Sequence, residues 1–549
     1  MPLRRSGLFL SIFFVFVTCQ VQQPPHVVII VADDLGWNDV SYHDPVHQIP
    51  TPNIDALGLN GVILNRHYSQ QMCTPSRAAL MTGKYPIKTG MQHFVIVQDE
   101  PWGLPLNEKI LPEFFKDGGY ETYMVGKWHL GFHKKEFTPL ERGFDHHYGY
   151  WGSNIDYWTK FKALRNITPG LDFRNGADLE WNDDQYATES FTNVVKKYIR
   201  EHDKTKPMLM VMNHLAPHSA NPKDPLQAPE DEINKFSFIS DINRRKHAAM
   251  VSLLDKSIGE VITELKKFEM LQNSVIVFMS DNGAPTTPPI ELNPGSNYPL
   301  RGTKNTPWEA GVRVPAMIWS PLLQTKAKIN NNLFHISDWL PTLLTAANIS
   351  YNQSTLDGVN HWMELTQSPE IPSRNELLVN IDPIDDWSAV IKDNFKLVYK
   401  RNRDEMDNWL SSANVETALD DDLYSELVQK SEVFKALESQ LTKEEILSLV
   451  KSTQVQCSSN EQKSCNFSDN FCLFNIQDDP CEFHDLGEKY PDQLKDLKKT
   501  LNEYKKLMVK PLNEEGDERR FFTPIVEHYY LRLFAKKKTY ECGMKGRPQ

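Results

Sequence analysis

Short apolar runs alternate along the chain with longer amphipathic stretches. His26–Ala32 and residues 275–280 are apolar and rich in β-branched side chains, which is typical of strands buried on both faces of a parallel sheet. Between them, residues 248–267 carry apolar side chains at helical spacing. Strands that alternate with helices predict an α/β fold, with a large, mostly parallel sheet between two layers of helices.

Oxygen-bearing side chains follow both apolar runs directly. Asp33 and Asp34 come after the first run, and Asp281 and Asn282 come after the second. In such sheets ligands bind beyond the carboxyl ends of the strands. Carboxylate and amide oxygens are the ligands of hard cations such as calcium or magnesium, in preference to zinc. The sequence therefore predicts a hard-cation site at this edge of the sheet.

The pattern changes near residue 385. Residues 389–399 predict a β-hairpin that turns at Asp393-Asn394. Residues 401–456 are polar and charged, with helical patches, and predict an exposed insertion. An amphipathic helix follows over residues 491–510. We therefore predict a large domain over residues 21–385 and a smaller C-terminal α+β domain over residues 386–549, which carries the insertion at about residues 401–456.

Composition and charge narrow the class of protein. The 549 residues are 40% hydrophobic and 24% charged, which suits a globular protein of more than one domain. The formal net charge of −12 argues against a nucleic-acid-binding protein, although a local pocket can still be positive. Arg4 and Arg5 precede a short apolar run, which predicts a signal peptide over residues 1–20. No later stretch is apolar enough to predict a membrane span.

The cysteines and glycosylation sequons fit the secretory pathway. Cys457 and Cys465, and Cys472 and Cys481, are close enough in sequence to form two local bridges, although sequence leaves the connectivity open, and Cys542 is odd. Sequons of the Asn-x-Ser/Thr type occur at Asn166, Asn348, Asn352 and Asn466. We therefore expect a glycoprotein of the secretory pathway, either lysosomal or secreted.

Cys73 stands apart from the other cysteines. The string Cys73-Thr74-Pro75-Ser76-Arg77 places a proline early in a predicted first turn, apolar residues follow, and Gly83 suits the end of the helix. The N-terminus of a helix favours anions. The pattern thus predicts a reactive group that faces an anionic substrate, with a buried structural thiol as the alternative.

The Cys73 string, continued by Ala-Ala-Leu-Met-Thr-Gly and Lys84-Tyr85-Pro86, resembles the signature of the type I sulfatases. The resemblance extends in motif order over about residues 25–382, and it implies an alkaline phosphatase-like sheet. It implies that a formylglycine-generating enzyme oxidises Cys73 to Cα-formylglycine, which acts as a hydrated aldehyde. It also implies one divalent cation, usually calcium, that contacts residue 73. Its predicted ligands are Asp33, Asp34, Cys73, Asp281 and Asn282.

Further strings resemble sulfatase motifs and contribute cationic residues. They are Gly126-Lys127-Trp128-His129, Arg301-Gly302-Thr303-Lys304 and Asn213-His214-Leu215-Ala216-Pro217-His218. The resemblance implies that Arg77, Lys127 and Lys304 neutralise sulfate oxygens. It assigns protonation of the leaving oxygen to His218 or Lys304, and gives His129 the proton of the second hydroxyl of the hydrate, which expels sulfate. The predicted catalytic set is Cys73, Arg77, Lys127, His129, His218 and Lys304.

Two other functions are compatible with these motifs. Phosphatases and phosphodiesterases of the same fold use two zinc ions and often carry Ser-Asp-His-Gly where this chain has Ser280-Asp281-Asn282-Gly283. A non-catalytic binding homologue is the third hypothesis.

The expected substrate is a sulfated sugar or a small sulfated metabolite. Three strings, including the one with His335 and Asp338, resemble the N-acetylgalactosamine-4-sulfatase group, and we interpret that pair as helix capping and packing.

Overall fold

The computed structural model describes residues 23–164, 167–286, 293–323, 327–367, 372–402, 405–409, 419–457, 465 and 470–513. The predicted signal peptide, two of the sequons (Asn166 and Asn466) and Cys542 lie outside the described residues. Within these ranges, no helix is both long and apolar enough to cross a membrane.

The strands of the described residues are β1 (His26–Ala32), β2 (Val62–Leu64), β3 (His67–Tyr68), β4 (Glu121–Lys127), β5 (His146–Tyr150), β6 (Phe161–Leu164), β7 (Ile167–Leu171), β8 (Arg174–Asn175), β9 (Asp178–Leu179), β10 (Met208–Asn213), β11 (Ser274–Ser280), β12 (Ala316–Trp319), β13 (Lys328–Asn330), β14 (Phe334–His335), β15 (Glu376–Asp382), β16 (Trp387–Lys392), β17 (Phe395–Lys400) and β18 (Phe471–Asn475).

One ten-stranded sheet forms the centre of the fold, in the order β13-β2-β12-β11-β1-β10-β4-β5-β8-β9. The five neighbours from β11 to β5 are parallel, whereas β12 pairs antiparallel with both β11 and β2. Every residue of β1, β10 and β11 is buried, as expected for strands covered on both faces. The predicted mostly parallel sheet is confirmed.

The α-helices of the described residues are α1 (Pro52–Leu59), α2 (Cys73–Thr82), α3 (Leu111–Asp117), α4 (Ala187–Glu201), α5 (Glu230–Lys235), α6 (Ile242–Lys267), α7 (Glu309–Val312), α8 (Trp339–Ala346), α9 (Trp362–Gln367), α10 (Asp421–Lys430), α11 (Glu432–Ala436), α12 (Lys443–Thr453) and α13 (Pro491–Lys505). Alternate residues of β1 join two separate apolar cores. One core includes α1, α4 and α6, and the other includes α2, α3 and α8, so helices cover both faces of the sheet.

A second, antiparallel sheet is built from β15, β16, β17 and β18. The predicted hairpin at Asp393-Asn394 joins β16 to β17, and α13 packs on the sheet through Leu497 and Leu501. This confirms a smaller α+β unit near the C-terminus. Its first strand, β15, begins at Glu376, ahead of the boundary predicted at residue 385; the division into domains stays a prediction.

The helical insertion is more buried than expected. Helices α10, α11 and α12 place Tyr424, Val428, Val433 and Ile446 in the same apolar core as α1 and α6. The expectation of an exposed insertion is therefore wrong on that face. The three helices are amphipathic. Their charged side chains, which dominate the composition, lie outward, while a narrow apolar stripe on each helix is removed from water.

Two disulfides connect the end of the insertion to the small sheet. Cys457 pairs with Cys481 and Cys465 pairs with Cys472, with Cα–Cα separations of 5.8 Å in both. The pairing of Cys457 with Cys465 and of Cys472 with Cys481, which the sequence allowed, is therefore wrong. Strand β18, which contains Cys472, places its cysteine beside Cys465 and brings the following turn back to Cys457, so tertiary position decides the pairing.

Candidate active site

The carboxyl ends of β1 and β11 bring four oxygen-bearing side chains together. The two strands are adjacent and parallel, with Ala32 opposite Ser280, so Asp33, Asp34, Asp281 and Asn282 follow at one edge. All four are fully buried. The backbone N–H of Asp34 donates to Asp281 Oδ1 at 3.2 Å, and Asn282 Nδ2 donates to Asp34 Oδ1 at 2.6 Å.

Backbone strain accompanies this convergence. Asp34 has a φ of +63°, in the left-handed region that non-glycine residues rarely adopt. Such conformations persist where the surrounding structure enforces them, often at functional sites. At Asp34 the strained backbone turns two consecutive carboxylates into the same space.

Helix α2 presents Cys73 to these carboxylates. The helix begins at Cys73 and ends before Gly83, whose φ of +64° completes the C-cap. The Cys73 thiol is buried and donates to Asp33 Oδ1 at 3.4 Å. Burial, followed by the charge of Asp281, raises the pKa of the Cys73 thiol well above its ordinary value. An unmodified Cys73 is therefore a neutral thiol, which is a poor nucleophile.

Each carboxylate of the cluster contacts a fixed cation. Lys127 Nζ lies 2.7 Å from Asp33 Oδ2, Lys304 Nζ lies 2.7 Å from Asp34 Oδ1, and Arg77 Nη2 lies 2.8 Å from Asp281 Oδ2. Lys127 is the last residue of β4 and Arg77 is on the second turn of α2. These three carboxylates and three cations balance formally, so an added divalent cation would leave the pocket positive and suited to an anion.

The cations also set the ionisation of Asp33. Burial alone would raise the pKa of Asp33, but Lys127, His218 and Arg77 hold it well below its usual range. The pKa of Asp281 is raised, first by burial and then by the charge of Asp33. The two carboxylates thus compete for the same positive charges, a competition that a metal cation would relieve.

His129 is held as a neutral base. Its Nε2 lies 2.9 Å from the carbonyl oxygen of Ile96, so the ring proton is on Nε2. Its Nδ1 is buried and has no hydrogen-bond partner among the described residues. Burial, reinforced by Lys127, lowers the pKa of His129 well below its ordinary value. Its backbone is also left-handed, with a φ of +55°.

His218 approaches the cluster from the loop after β10. Its Nε2 lies 3.5 Å from Asp34 Oδ2, and its Nδ1 donates to the carbonyl oxygen of Ser219 at 2.7 Å. Tyr157 donates its hydroxyl to the backbone carbonyl of His218 at 2.9 Å and supports this loop. His218 therefore presents Nε2 to the carboxylate edge.

The carboxylate and amide oxygens of the cluster fit a hard divalent cation, while the thiol of Cys73 and the imidazole of His218 lie in the same group. One ligand atom from each of Asp33, Asp34, Cys73 and His218 lies within 4.8 Å of the others. The Oδ1 atom of Asn282 is buried in the same cluster and has no hydrogen-bond partner among the described residues. An orphaned buried carbonyl oxygen is costly, and a cation in contact with it would satisfy it.

The structure brings together the residues that the sequence predicted. In contact with one another are Asp33, Asp34, Cys73, Arg77, Lys127, Asp281, Asn282, His218 and Lys304. His129 is connected to this group through Thr74, the residue after Cys73, whose hydroxyl donates to the His129 carbonyl oxygen at 3.1 Å.

Sequence reasoning missed Tyr150. This residue ends β5 directly opposite Lys127, and its buried hydroxyl has no hydrogen-bond partner in the described part of the chain. Burial raises the pKa of Tyr150 well above its ordinary value, and the charge of Asp33 adds to the shift. The position of Tyr150 at the site edge follows from β5, which is parallel to β4 and ends at the same edge. Its strand end carries no acidic or basic residue, however, so the sequence pattern did not single it out.

The chain is similar in sequence to known sulfatases. The sequence profile described as Sulfatase matches residues 25–349. Arylsulfatase J of Mus musculus is 36% identical over 488 residues, covering 88% of this chain and 76% of that protein. N-acetylgalactosamine-6-sulfatase of Homo sapiens is 30% identical over 359 residues, covering 62% and 65%. A crystal structure of Ps i-CgsB with k-i-k-neocarrahexaose is similar, with 25% identity, a TM-score of 0.70, and coverage of 91% and 97%.

Proposed function

The chain belongs to the sulfatase family, and we propose that it hydrolyses sulfate esters in the pocket around residue 73. The observation that carries this proposal is the position of Cys73 at the start of α2, in contact with Asp33 and surrounded by matched carboxylates and cations. A pocket of this kind can bind a sulfate group only if its carboxylates are engaged by a cation, which the orphaned Asn282 oxygen also favours.

Residue 73 is proposed to act as Cα-formylglycine. The hydrated aldehyde would supply two hydroxyl groups, one for attack at sulfur and one for the release of sulfate. The neutral, buried thiol of unmodified Cys73 supports this assignment because it is unsuited to attack. Only 1% of Cys73 is exposed in the folded chain, so a formylglycine-generating enzyme would have to act before folding.

Calcium is the proposed cation, one ion per site. Asp33, Asp34, Asp281 and Asn282 would hold it together with residue 73, since hard oxygen donors in this number suit calcium. When bound it would polarise the reacting oxygen and offset the charge of the carboxylates. The three side-chain cations are then available for the sulfate oxygens.

Arg77, Lys127 and Lys304 are proposed to bind the sulfate group. They are buried and fixed by their carboxylate contacts, and preorganised charges in a water-poor site stabilise developing negative charge strongly. The Tyr150 hydroxyl is a further proposed donor, since it is buried in reach of the same charges.

Proton transfer is assigned to the two histidines. His129 Nδ1 is the proposed base, because its ring proton is engaged at Nε2 and its lowered pKa keeps it neutral. His218, or alternatively Lys304, is proposed to protonate the ester oxygen as it leaves, because both contact Asp34 at the pocket edge.

The proposed substrate class is a sulfated saccharide, with a small sulfated metabolite as the alternative. One relative is named for a sulfated amino sugar and another for aryl sulfates. The proposed location is the secretory pathway, as a lysosomal or secreted protein. Two disulfides and the exposed sequon residues Asn348 and Asn352 support it.

The deciding experiment combines mass spectrometry with two substrates. We expect the peptide that contains residue 73 to carry an aldehyde in place of the thiol in protein from its native host. We expect the purified protein to cleave 4-methylumbelliferyl sulfate much faster than the matching phosphate, with loss of activity after calcium removal. A free thiol with no sulfatase activity would favour a binding homologue, and zinc-dependent phosphate cleavage would favour a phosphatase.

A further inference from the structure

A polar cleft of about 740 Å³ lies at the same edge of the large sheet as the catalytic cluster. Strand β2 is parallel to β1, because two antiparallel pairings through β12 relate it to β11. Its carboxyl end, at Asn65, therefore lies at the edge where Asp33 lies. Three strand spacings separate β1 from β2, about 14 Å. The volume falls within the range of ligand-binding clefts.

The large sheet, the small sheet and the insertion all contribute to this distal cleft. Asn65 and Arg66 follow β2, and Asn331 and Asn332 follow β13. The hairpin turn of the small sheet and the segment after α12 form the remaining walls, with Asn394 and Gln456 among their side chains. The cleft thus exists only where the insertion and the small sheet meet the large sheet.

Carboxamides dominate the lining of the distal cleft. Asn375, Gln456 and Gln477 are exposed there, and Asn375 and Gln477 make no side-chain hydrogen bond within the described part of the chain. A carboxamide offers two donors and an acceptor, which matches the mixed hydrogen-bonding capacity of sugar hydroxyl groups. Such a lining suits a saccharide better than an apolar ligand.

Arg66 makes no ion pair with a carboxylate in the described residues, although Asp393 also lines the cleft. Its guanidinium donates to Asn394 Oδ1 and to the carbonyl oxygen of Asp393, each at 3.2 Å, and both acceptors are neutral. Its Nε is buried with no hydrogen-bond partner among the described residues. By contrast, Arg313 in the same cleft lies 3.5 Å from the Glu309 carboxylate. Arg66 is therefore the group best placed to bind an anion.

We propose that the distal cleft binds an acidic segment of a saccharide chain, with Arg66 on a sulfate or carboxylate group and the carboxamides on hydroxyl groups. The inference rests on the proposed function, since the segment would belong to the polymer whose sulfate ester reaches residue 73. A bound segment at this distance would favour long substrates over short ones, because the two sites lie along one sheet edge.

Varying the length of the substrate distinguishes the contribution of the distal cleft from that of the pocket around residue 73. The test measures kcat and KM for sulfated glycosaminoglycan oligosaccharides from disaccharide to dodecasaccharide, and for 4-methylumbelliferyl sulfate. Arg66→Ala is expected to raise KM about tenfold for the longest oligosaccharides, with unchanged kinetics for the disaccharide and the aryl sulfate. Lys197→Ala removes an exposed charge on α4, outside the cleft, and is expected to change neither.

Gln477→Glu is the second variant, because Gln477 is exposed and its substitution leaves the core intact. It places a negative charge in the cleft and should weaken dodecasaccharide binding, measured directly with a fluorescently labelled chain. Unchanged binding and KM in both variants would overturn the distal cleft while leaving the proposed function intact. Arg66-dependent binding in a protein that cleaves no sulfate ester would contradict the proposed function alone.

Discussion

Two buried charge clusters in this protein contain the same kinds of side chain and differ in how completely they are paired. The proposed catalytic cluster combines Asp33 and Asp34, which follow the carboxyl end of β1, with lysine, arginine and histidine. A second cluster lies at the start of α8, where Asp338 meets Arg374 and His361.

The second cluster satisfies its own groups. Asp338 accepts from the backbone N–H of His335 at 2.8 Å, from that of Val359 at 2.7 Å and from Arg374 Nε at 2.9 Å. Both ring nitrogens of His335 and of His361 have hydrogen-bond partners. The interpretation of His335 and Asp338 as a capping and packing pair is confirmed, because their contacts close the capping box of the 3-10 turn Ile336–Asp338 that leads into α8.

The catalytic cluster leaves polar atoms unpaired in the described residues. These are Asn282 Oδ1, His129 Nδ1 and the Tyr150 hydroxyl, and two of its residues have left-handed backbones. Buried polar groups are normally hydrogen-bonded. Unpaired atoms and strained backbone, rather than the residue types, therefore distinguish the proposed catalytic cluster from the cluster that holds the fold together.

The largest expected effect comes from removing the base. His129→Ala should lower kcat by about 10²–10⁴-fold and cost little stability, because within the described residues the ring makes one hydrogen bond, to Ile96. The measurement is turnover of 4-methylumbelliferyl sulfate together with thermal unfolding. His335→Ala is the matched control in the other cluster, and it should reduce stability more than turnover. Equal activity of the His129 variant and the unaltered protein would remove His129 from the proposed mechanism.

Arg374→Ala should have the converse effect. It leaves the Asp338 carboxylate buried without its guanidinium partner, which costs about 3–5 kcal/mol of unfolding free energy. Urea denaturation measures the loss, and kcat of the protein that remains folded should stay near the unaltered value. A large fall in kcat without loss of stability would show that the second cluster takes part in catalysis.

The two clusters should also differ in their contribution to calcium binding. Calcium should raise the melting temperature of the metal-depleted protein, since a cation that binds only the folded state stabilises it. Asn282→Ala should weaken this rise by removing one ligand oxygen, whereas Arg374→Ala should leave the calcium-dependent increment intact. Calorimetric titration with calcium, and with magnesium as a control, provides the check; an increment insensitive to Asn282 would contradict the assignment of this ligand.

The smallest expected effect is a pH dependence from His361. Burial alone would lower the pKa of His361, but Asp338 and Glu364 raise it overall. Its contribution to stability is therefore full below the unfolded pKa of about 6.5 and is lost as the pH rises through the folded pKa. Comparing unfolding free energies of His361→Gln and the unaltered protein at pH 5.5 and pH 9 should show a difference that shrinks at high pH. A constant difference would mean that His361 acts only through packing.

Much of the fold and site was readable from local sequence. The apolar run before Asp33 and the one before Asp281 each predict a buried strand from about seven residues, and the Cys73 string contains its own helix start. Tyr150, the disulfide pairing and the burial of Tyr424 were not readable, because each depends on which distant surface the residue meets. The carboxamides of the distal cleft are ordinary polar residues in the sequence, and only the packing of the two sheets and the insertion gathers them into one cleft.

The sequence by itself determined that Cys73 stands at a helix start and that oxygen-bearing side chains follow two strands, since periodicity and short motifs encode local conformation. Only the tertiary structure decided which carboxylate each cation contacts, that His129 carries its ring proton on Nε2, and that Asn282 keeps a buried oxygen without a partner in the described chain. The physical reason is that pairing and burial arise from contacts between residues up to hundreds of positions apart, and an isolated segment contains no trace of its partner.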